Sequence, residues 1–152
     1  MHDVSRDHEF MSLALAEAHS AEKQDEVPVG AVVVIEDKVI ATGFNRTIMD
    51  CDPTAHAEMV VIRHTAKTIN NHRLNQATVY VTLEPCAMCM GALLQARIKR
   101  LVYGASDPKA GAAGSVMDLS NLAELNHAIE IEKGILKNEC AEILRAFFKA
   151  RR

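Results

Sequence analysis

From Asp7 to Lys23, the residues Phe10, Met11, Ala14, Leu15 and Ala18 recur at helical spacing and predict an amphipathic first helix. Val27-Pro28-Val29-Gly30 breaks it. The pattern then changes period. Ala31–Ile35 is a short β-branched run, Glu36-Asp37-Lys38 a polar turn and Val39–Gly43 a return run, which together predict a hairpin. Helical spacing resumes after Pro53-Thr54, with Thr54 as the expected cap and Met59, Ile62, Ala66 and Ile69 as the apolar stripe of a helix ending near Ile69.

Ala77–Leu83 predicts a buried strand that Pro85 stops, and Cys86–Ala96 a short helix leading to a strand at Leu101–Gly104. The stretch from Ala105 to Gly114 carries Pro108, Gly111 and Gly114 and reads as a loop. His127–Ile131 is the last expected strand. Ile135–Ala150 closes the chain as a helix whose apolar face is Leu136, Cys140, Ile143, Leu144, Phe147 and Phe148. A helix, a hairpin and then alternating helices and strands predict an α/β layered domain with helices on both faces of the sheet. The length, 152 residues, suits a single domain over 1–152.

Composition adds little to that picture and excludes some functions. Hydrophobic residues make up 49% and charged residues 24%, enough apolar material for a core. The net charge of -3 gives no whole-chain attraction to phosphate, so any such contact must be local. Arg145, Lys149, Arg151 and Arg152 form one such patch, with no acidic residue over 145–152; a solvated helix end reads equally well. The start Met1-His2-Asp3-Val4-Ser5-Arg6-Asp7 lacks the features of a secretory signal, and no apolar run nears the roughly 18 residues of a membrane helix. A cytoplasmic protein is expected. Cys51, Cys86, Cys89 and Cys140 are then expected to be reduced, for packing, metal binding or redox work.

Two segments carry the candidate chemistry: His56-Ala57-Glu58 and Pro85-Cys86-Ala87-Met88-Cys89, each opening a helix. Helix N-termini favour negative charge and lower thiol pKa, so Cys86 and Cys89 are placed to be thiolates on one side of a first turn. One imidazole and two thiolates suit zinc and leave a fourth position for water. His64, about 12 Å farther along the helix at 1.5 Å per residue, is out of reach, whereas Cys51 stays open as a fourth ligand. Glu58 lies about 60° from the centre of the apolar stripe, where a carboxylate needs a task or a partner. Taken alone, the Cys-x-x-Cys also fits a redox pair, and His56 a capping residue. His-x-Glu with Pro-Cys-x-x-Cys following, its first Cys 28 positions after Glu58, is the combination characteristic of zinc nucleobase deaminases.

Over nearly its whole length the chain resembles the bacterial tRNA-specific adenosine deaminases, a branch of the cytidine deaminase superfamily. The resemblance is carried by Glu26-Val27-Pro28-Val29-Gly30-Ala31, Pro53-Thr54-Ala55-His56-Ala57-Glu58, Tyr80-Val81-Thr82-Leu83-Glu84-Pro85-Cys86, Asp107 to Ser115, Asn126-His127 and Phe147-Phe148-Lys149. The two central motifs alone also fit deaminases of free guanine, cytosine or deoxycytidylate; the Gly111–Ser115 loop and the Phe147-Phe148 tail favour the tRNA branch. What the resemblance implies is a three-layer α/β/α fold on a five-stranded mixed sheet, a homodimer, one zinc per chain and an anticodon stem-loop as partner. It implies His56, Cys86 and Cys89 as metal ligands and Glu58 as the group that moves protons while adenosine becomes inosine at the wobble position. Asn45 would hydrogen-bond the flipped base, Val27, Ala57 and Leu83 would shape its pocket, and Asp107, Lys109, Phe148 and Arg151 would meet flanking nucleotides. Read without the resemblance, Asn45 is a turn residue, the glycine-bearing loop a plain connection, and Phe147 or Phe148 a packing residue. One departure stands out: Met90 follows Cys89 where the family has a small residue, which bears on local packing or on a dimer contact.

Overall fold

A computed structural model describes residues 3–152 of the chain; Met1 and His2 lie outside the described residues. The elements are α1 (Val4–Lys23), β1 (Gly30–Ile35), β2 (Lys38–Phe44), α2 (Ala57–Ile69), β3 (Thr78–Leu83), α3 (Ala87–Gln95), β4 (Arg100–Ala105), β5 (Glu130–Lys133) and α4 (Lys137–Ala150). All the expected elements are present, several with boundaries shifted by a few residues, and three of the shifts have clear local reasons. α1 starts earlier than the periodicity suggests because Asp3 caps it, accepting a hydrogen bond from the Ser5 N–H at 3.0 Å. Thr54 does not cap α2. Its N–H and hydroxyl donate to Asp52 at 2.9 and 2.7 Å in a preceding turn, and His56 takes the cap position without a side-chain bond to the helix. The last strand forms at Glu130–Lys133 and not at His127–Ile131, since His127 Nε2 is held 2.6 Å from the Ile98 carbonyl and the Ile129 N–H donates to Ser120.

The sheet order is β2-β1-β3-β4-β5. β1 pairs antiparallel with both β2 and β3, whereas β3, β4 and β5 run parallel, so the sheet is mixed. Glu36 and Asp37, both with positive φ (52° and 61°), supply the left-handed backbone that a two-residue hairpin turn requires. Alternation along the strands feeds two cores. Val32, Val34, Tyr80 and Val102 pack with Phe10, Met11, Ala14 and Cys140 of α1 and α4. Val33, Val79, Val81, Leu101 and Tyr103 point the other way, toward Val61, Ile62, Met90 and Leu93 of α2 and α3. The result is an α/β/α sandwich of the expected kind. Gly30 is where α1 crosses β1 most closely: a Cβ there would sit 2.0 Å from the Ala14 carbonyl oxygen, so no larger residue fits without moving the helix.

The parallel pair fixes where chemistry can be placed. β3 and β4 end together, Leu83 beside Ala105, and the segments that leave them open outward at the same end of the sheet. In open α/β sheets that carboxyl end is where ligands are bound. No helix among the described residues is long and apolar enough to cross a membrane.

Candidate active site

His56 and Cys86 are the N-cap residues of α2 and α3, and neither spends its side chain on capping. Both side chains are therefore free to converge. His56 Nδ1 lies 3.7 Å from Cys86 Sγ and 3.4 Å from Cys89 Sγ. The three donor atoms all fall within 4.8 Å of one another, and among the described residues no other cluster of this kind occurs. Tetrahedral zinc with the usual Zn–S and Zn–N bond lengths sets sulfur and nitrogen about 3.5 Å apart, so the triangle fits that ion. Cys51 does not join it. Its sulfur sits 3.8 Å from the Ile48 carbonyl on an exposed loop, so the cluster has three protein donors. His64 is exposed on α2, also outside the cluster.

The protonation pattern has the same origin as the geometry. Hydrogen bonds from Cys89 and then from His56 pull the Cys86 thiol down to about 3. The Cys86 sulfur in turn pushes the Cys89 thiol up, helped by burial, and raises His56. One thiolate thus organises the remaining protons of the set, a charge distribution that a divalent cation would replace with metal bonds.

Glu58 is buried, with 4% of its surface exposed. The buried face of α2 is Ala57, Glu58, Val61, Ile62 and Thr65, not the stripe through Met59, Ala66 and Ile69 that periodicity suggests; Ile69 is exposed. At 100° per residue Glu58 stands about 30° from the centre of that face, deeper in than expected. Burial pushes its carboxyl up to about 7, against the pull of His56. A carboxyl group with that pKa can both take and give a proton near neutral pH.

A pocket of about 270 Å³ opens over these groups, lined by Val27, Val29, Asn45, Thr47, His56, Glu58, Leu83, Glu84, Cys86, Asp107 and Ala110. Of the residues singled out in the sequence, Val27, Leu83, Asn45 and Asp107 are therefore at its walls. Asn45 is 7% exposed, and its side-chain amide takes no hydrogen bond from the described residues. Ala57 is fully buried in the main core and is not among the residues that line the pocket. Lys109 is exposed beside Asp107, whose carboxylate accepts its N–H at 3.0 Å, but it does not line the pocket. Phe148 is exposed on α4, and Arg151 is tied to Asp25 at 2.9 Å and to the Phe147 carbonyl at 3.2 Å; both lie outside the pocket. Met90 is fully buried in the main core, so its effect is on packing there.

Val29, Thr47, Glu84 and Ala110 are wall residues that the sequence did not single out. A fifth, Glu26, stands behind the wall. Fully buried, it accepts the N–H groups of Ile48 and Met49 at 3.1 and 2.7 Å and so holds the loop that carries Thr47. The signal for Glu84 is a charge set inside an apolar stretch, between Leu83 and Pro85; Glu26 closes the polar run Glu22-Lys23-Gln24-Asp25 and carries no such signal.

A family model described as MafB19-like deaminase matches residues 5–152. The chain is 49% identical to a tRNA-specific adenosine deaminase of Haemophilus influenzae, over 96% of this chain and 85% of that one. It is 50% identical to the tRNA-specific adenosine deaminase of Agrobacterium fabrum, over 94% of each. A solved structure from work on A-to-I editing by tRNA:A34 deaminases superposes with a TM-score of 0.87 at 49% identity, covering 90% of this chain and 99% of that one. NE0047 in complex with 2,6-diaminopurine shares the fold, with a TM-score of 0.82 at 23% identity over 96% of this chain and 83% of that one. A deaminase model spanning the chain, together with relatives near half-identical throughout, shows that it belongs to the family of the bacterial tRNA-specific adenosine deaminases.

Proposed function

We propose that this protein is a zinc enzyme that converts adenosine to inosine at the wobble position of a tRNA anticodon. The observation that carries this reading is a buried carboxyl group, Glu58, in the wall of the same small pocket as a His-Cys-Cys triangle able to hold a metal. His56, Cys86 and Cys89 would hold one zinc per chain. When bound, zinc supplies the Lewis acidity that makes water acidic near neutral pH. Glu58 takes a proton from the attacking water and delivers it to the ring nitrogen. The same carboxylate then takes the proton of the hydroxyl added at the amino-bearing carbon and passes it to the amino group, which leaves as ammonia. Water adds to the base carbon that carried nitrogen and the carbonyl of inosine remains, so the atoms balance.

A volume of about 270 Å³ suits one base and excludes a stacked helix, so the adenine must be extruded from a single-stranded loop. Val27 and Leu83 give it apolar walls. The open amide of Asn45 is available to hydrogen-bond it. Asp107 at the pocket wall, with Lys109 next to it, would contact a neighbouring nucleotide. Phe148 and Arg151 would serve RNA beyond the pocket. A homodimer acting in the cytoplasm completes the proposal.

The test is to incubate purified protein with an anticodon stem-loop carrying adenosine at the wobble position and sequence the product, where inosine reads as guanosine. Conversion at that position alone is the expected result. Ammonia release from free guanine or cytosine, with no change in the RNA, would replace this reading with a free-base deaminase.

A further inference from the structure

Glu84 follows the last residue of β3 and stands two positions before Cys86. Only 2% of its surface is exposed. No cation pairs with it among the described residues. Its carboxylate instead accepts four hydrogen bonds from one loop: the N–H of Asp107 at 3.0 Å, of Ala113 at 3.0 Å and of Ser115 at 3.1 Å, and the Ser115 hydroxyl. Gly111 of that loop packs directly on it, where a Cβ would come within 2.4 Å of the carboxylate carbon. The loop has little regular structure of its own, a lone bridge between Ala113 and Asp118 aside. It is wrapped around a negative charge.

A neutral side chain would fill the same space without the cost of burying an ion. What a carboxylate alone provides is an acceptor for several converging N–H groups. Two residues of the loop it holds, Asp107 and Ala110, line the base pocket, as does Glu84 itself. We propose that Glu84 is a positioning residue: it keeps the Asp107–Ser115 loop in place as a preformed wall, so that the loop need not be ordered when the nucleotide enters. The substrate side of this rests on the RNA deaminase reading above; the strut itself does not. A loop already ordered lowers the cost of binding. Its loss should therefore appear in KM, not in the chemical step.

Two variants attack the strut from opposite sides. Glu84→Gln keeps the shape but puts an amide against N–H donors. Gly111→Ala keeps the charge and displaces the loop. In RNA-free, metal-loaded protein, amide exchange at Asp107, Ala113 and Ser115 should quicken at least tenfold in both variants, while β1 and α2 exchange as in the parent. With the stem-loop substrate KM should rise at least tenfold, kcat stay within threefold, and metal content stay unchanged. Ser115→Ala, which removes one bond and leaves the charge, should show the same pattern at about threefold in KM. Unchanged exchange would remove the strut. Faster exchange with unchanged KM would make Glu84 an element of the fold only, and a fall in kcat or in metal content would shift its effect to the ligands at Cys86 and Cys89. Failure of the parent protein to convert any stem-loop would overturn the substrate reading, and the exchange measurement would still decide the strut.

Discussion

The two ends of the β3–β4 pair each bury a carboxylate and treat it in opposite ways. At the amino end, where Thr78 pairs with Arg100, Asp7 of α1 accepts two bonds from the Arg100 guanidinium at 2.8 and 2.7 Å and a third from the Tyr80 hydroxyl at 2.6 Å. Charge meets counter-charge there. Burial and the neighbouring Asp7 push the Tyr80 hydroxyl well above its ordinary range, so it stays a donor. Glu58, at the carboxyl end, is equally buried but faces the pocket beside the His-Cys-Cys triangle, and burial lifts its carboxyl to about 7. A matched buried charge contributes order; one left able to titrate contributes reactivity. The same sheet presents both, at ends defined by strand direction.

The contrast breaks most clearly at Glu58. Glu58→Ala should lower kcat by about 10²–10⁴ while metal content and melting temperature stay near those of the parent. Turnover within tenfold of the parent would mean that some other group moves the protons. Asp7→Ala should do the reverse. It leaves the Arg100 guanidinium, 4% exposed, without its buried partner and with only the exposed carboxylate of Glu130, 3.6 Å from its Nε, as counter-charge. Orphaning one side of a buried pair costs about 3–5 kcal/mol, and at about 2–4 °C per kcal/mol for chains of this size the melting temperature should fall by roughly 6–20 °C. KM and metal content at low temperature should not move. A change in KM without loss of stability would show that the two ends are coupled.

These two carboxylates were unequally legible in the sequence, and the reason is distance along the chain. His56 and Glu58 are two residues apart and Cys86 and Cys89 three, each pair on the first turn of a helix, so local spacing alone puts the right atoms on one side. The pocket walls come from loops whose backbone is set by tertiary contacts, so Thr47, Ala110 and Val29 carry no signal of their own. Asp7 and Arg100 are 93 positions apart, and no pattern along the chain joins them. The edge strand was placed three residues early because Glu130–Lys133 is mostly exposed and alternates weakly. α2 misled in a useful way: its true buried face includes Thr65 and Glu58, polar residues that a search for apolar periodicity skips.

Glu84 sharpens the comparison through pH. Burial raises its carboxyl, but the Ser115 hydroxyl and the N–H groups of Asp107, Ala113 and Ser115 outweigh that and hold it below the ordinary range. A carboxyl lowered on folding stabilises the fold above the unfolded value of about 4.3, and that gain is lost as the pH falls through the lower folded value. Glu84→Gln should therefore melt below the parent at pH 7, and the gap should narrow in acid as the parent's carboxylate is also protonated. A gap of constant size across the range would assign the loss to packing and not to charge.

The smallest effect is expected at Arg151, on the last turn of the molecule and far from either end of the strand pair in chemistry. Its guanidinium stacks 3.5 Å over the Phe147 ring and reaches Asp25, whose side chain is 87% exposed. Exposed ion pairs contribute about 0–1 kcal/mol, so Arg151→Ala should shift the melting temperature by no more than about 4 °C. Its role with RNA reads differently. If Arg151 leaves Asp25 for a phosphate, the variant should bind the stem-loop more weakly at low salt, and the slope of log affinity against log salt should fall by roughly one. Asp25→Ala frees the same guanidinium from its competitor and should strengthen binding. Equal salt slopes in all three proteins would reduce Arg151 to a clasp between the end of α4 and the turn after α1, leaving RNA affinity to the pocket and its loop.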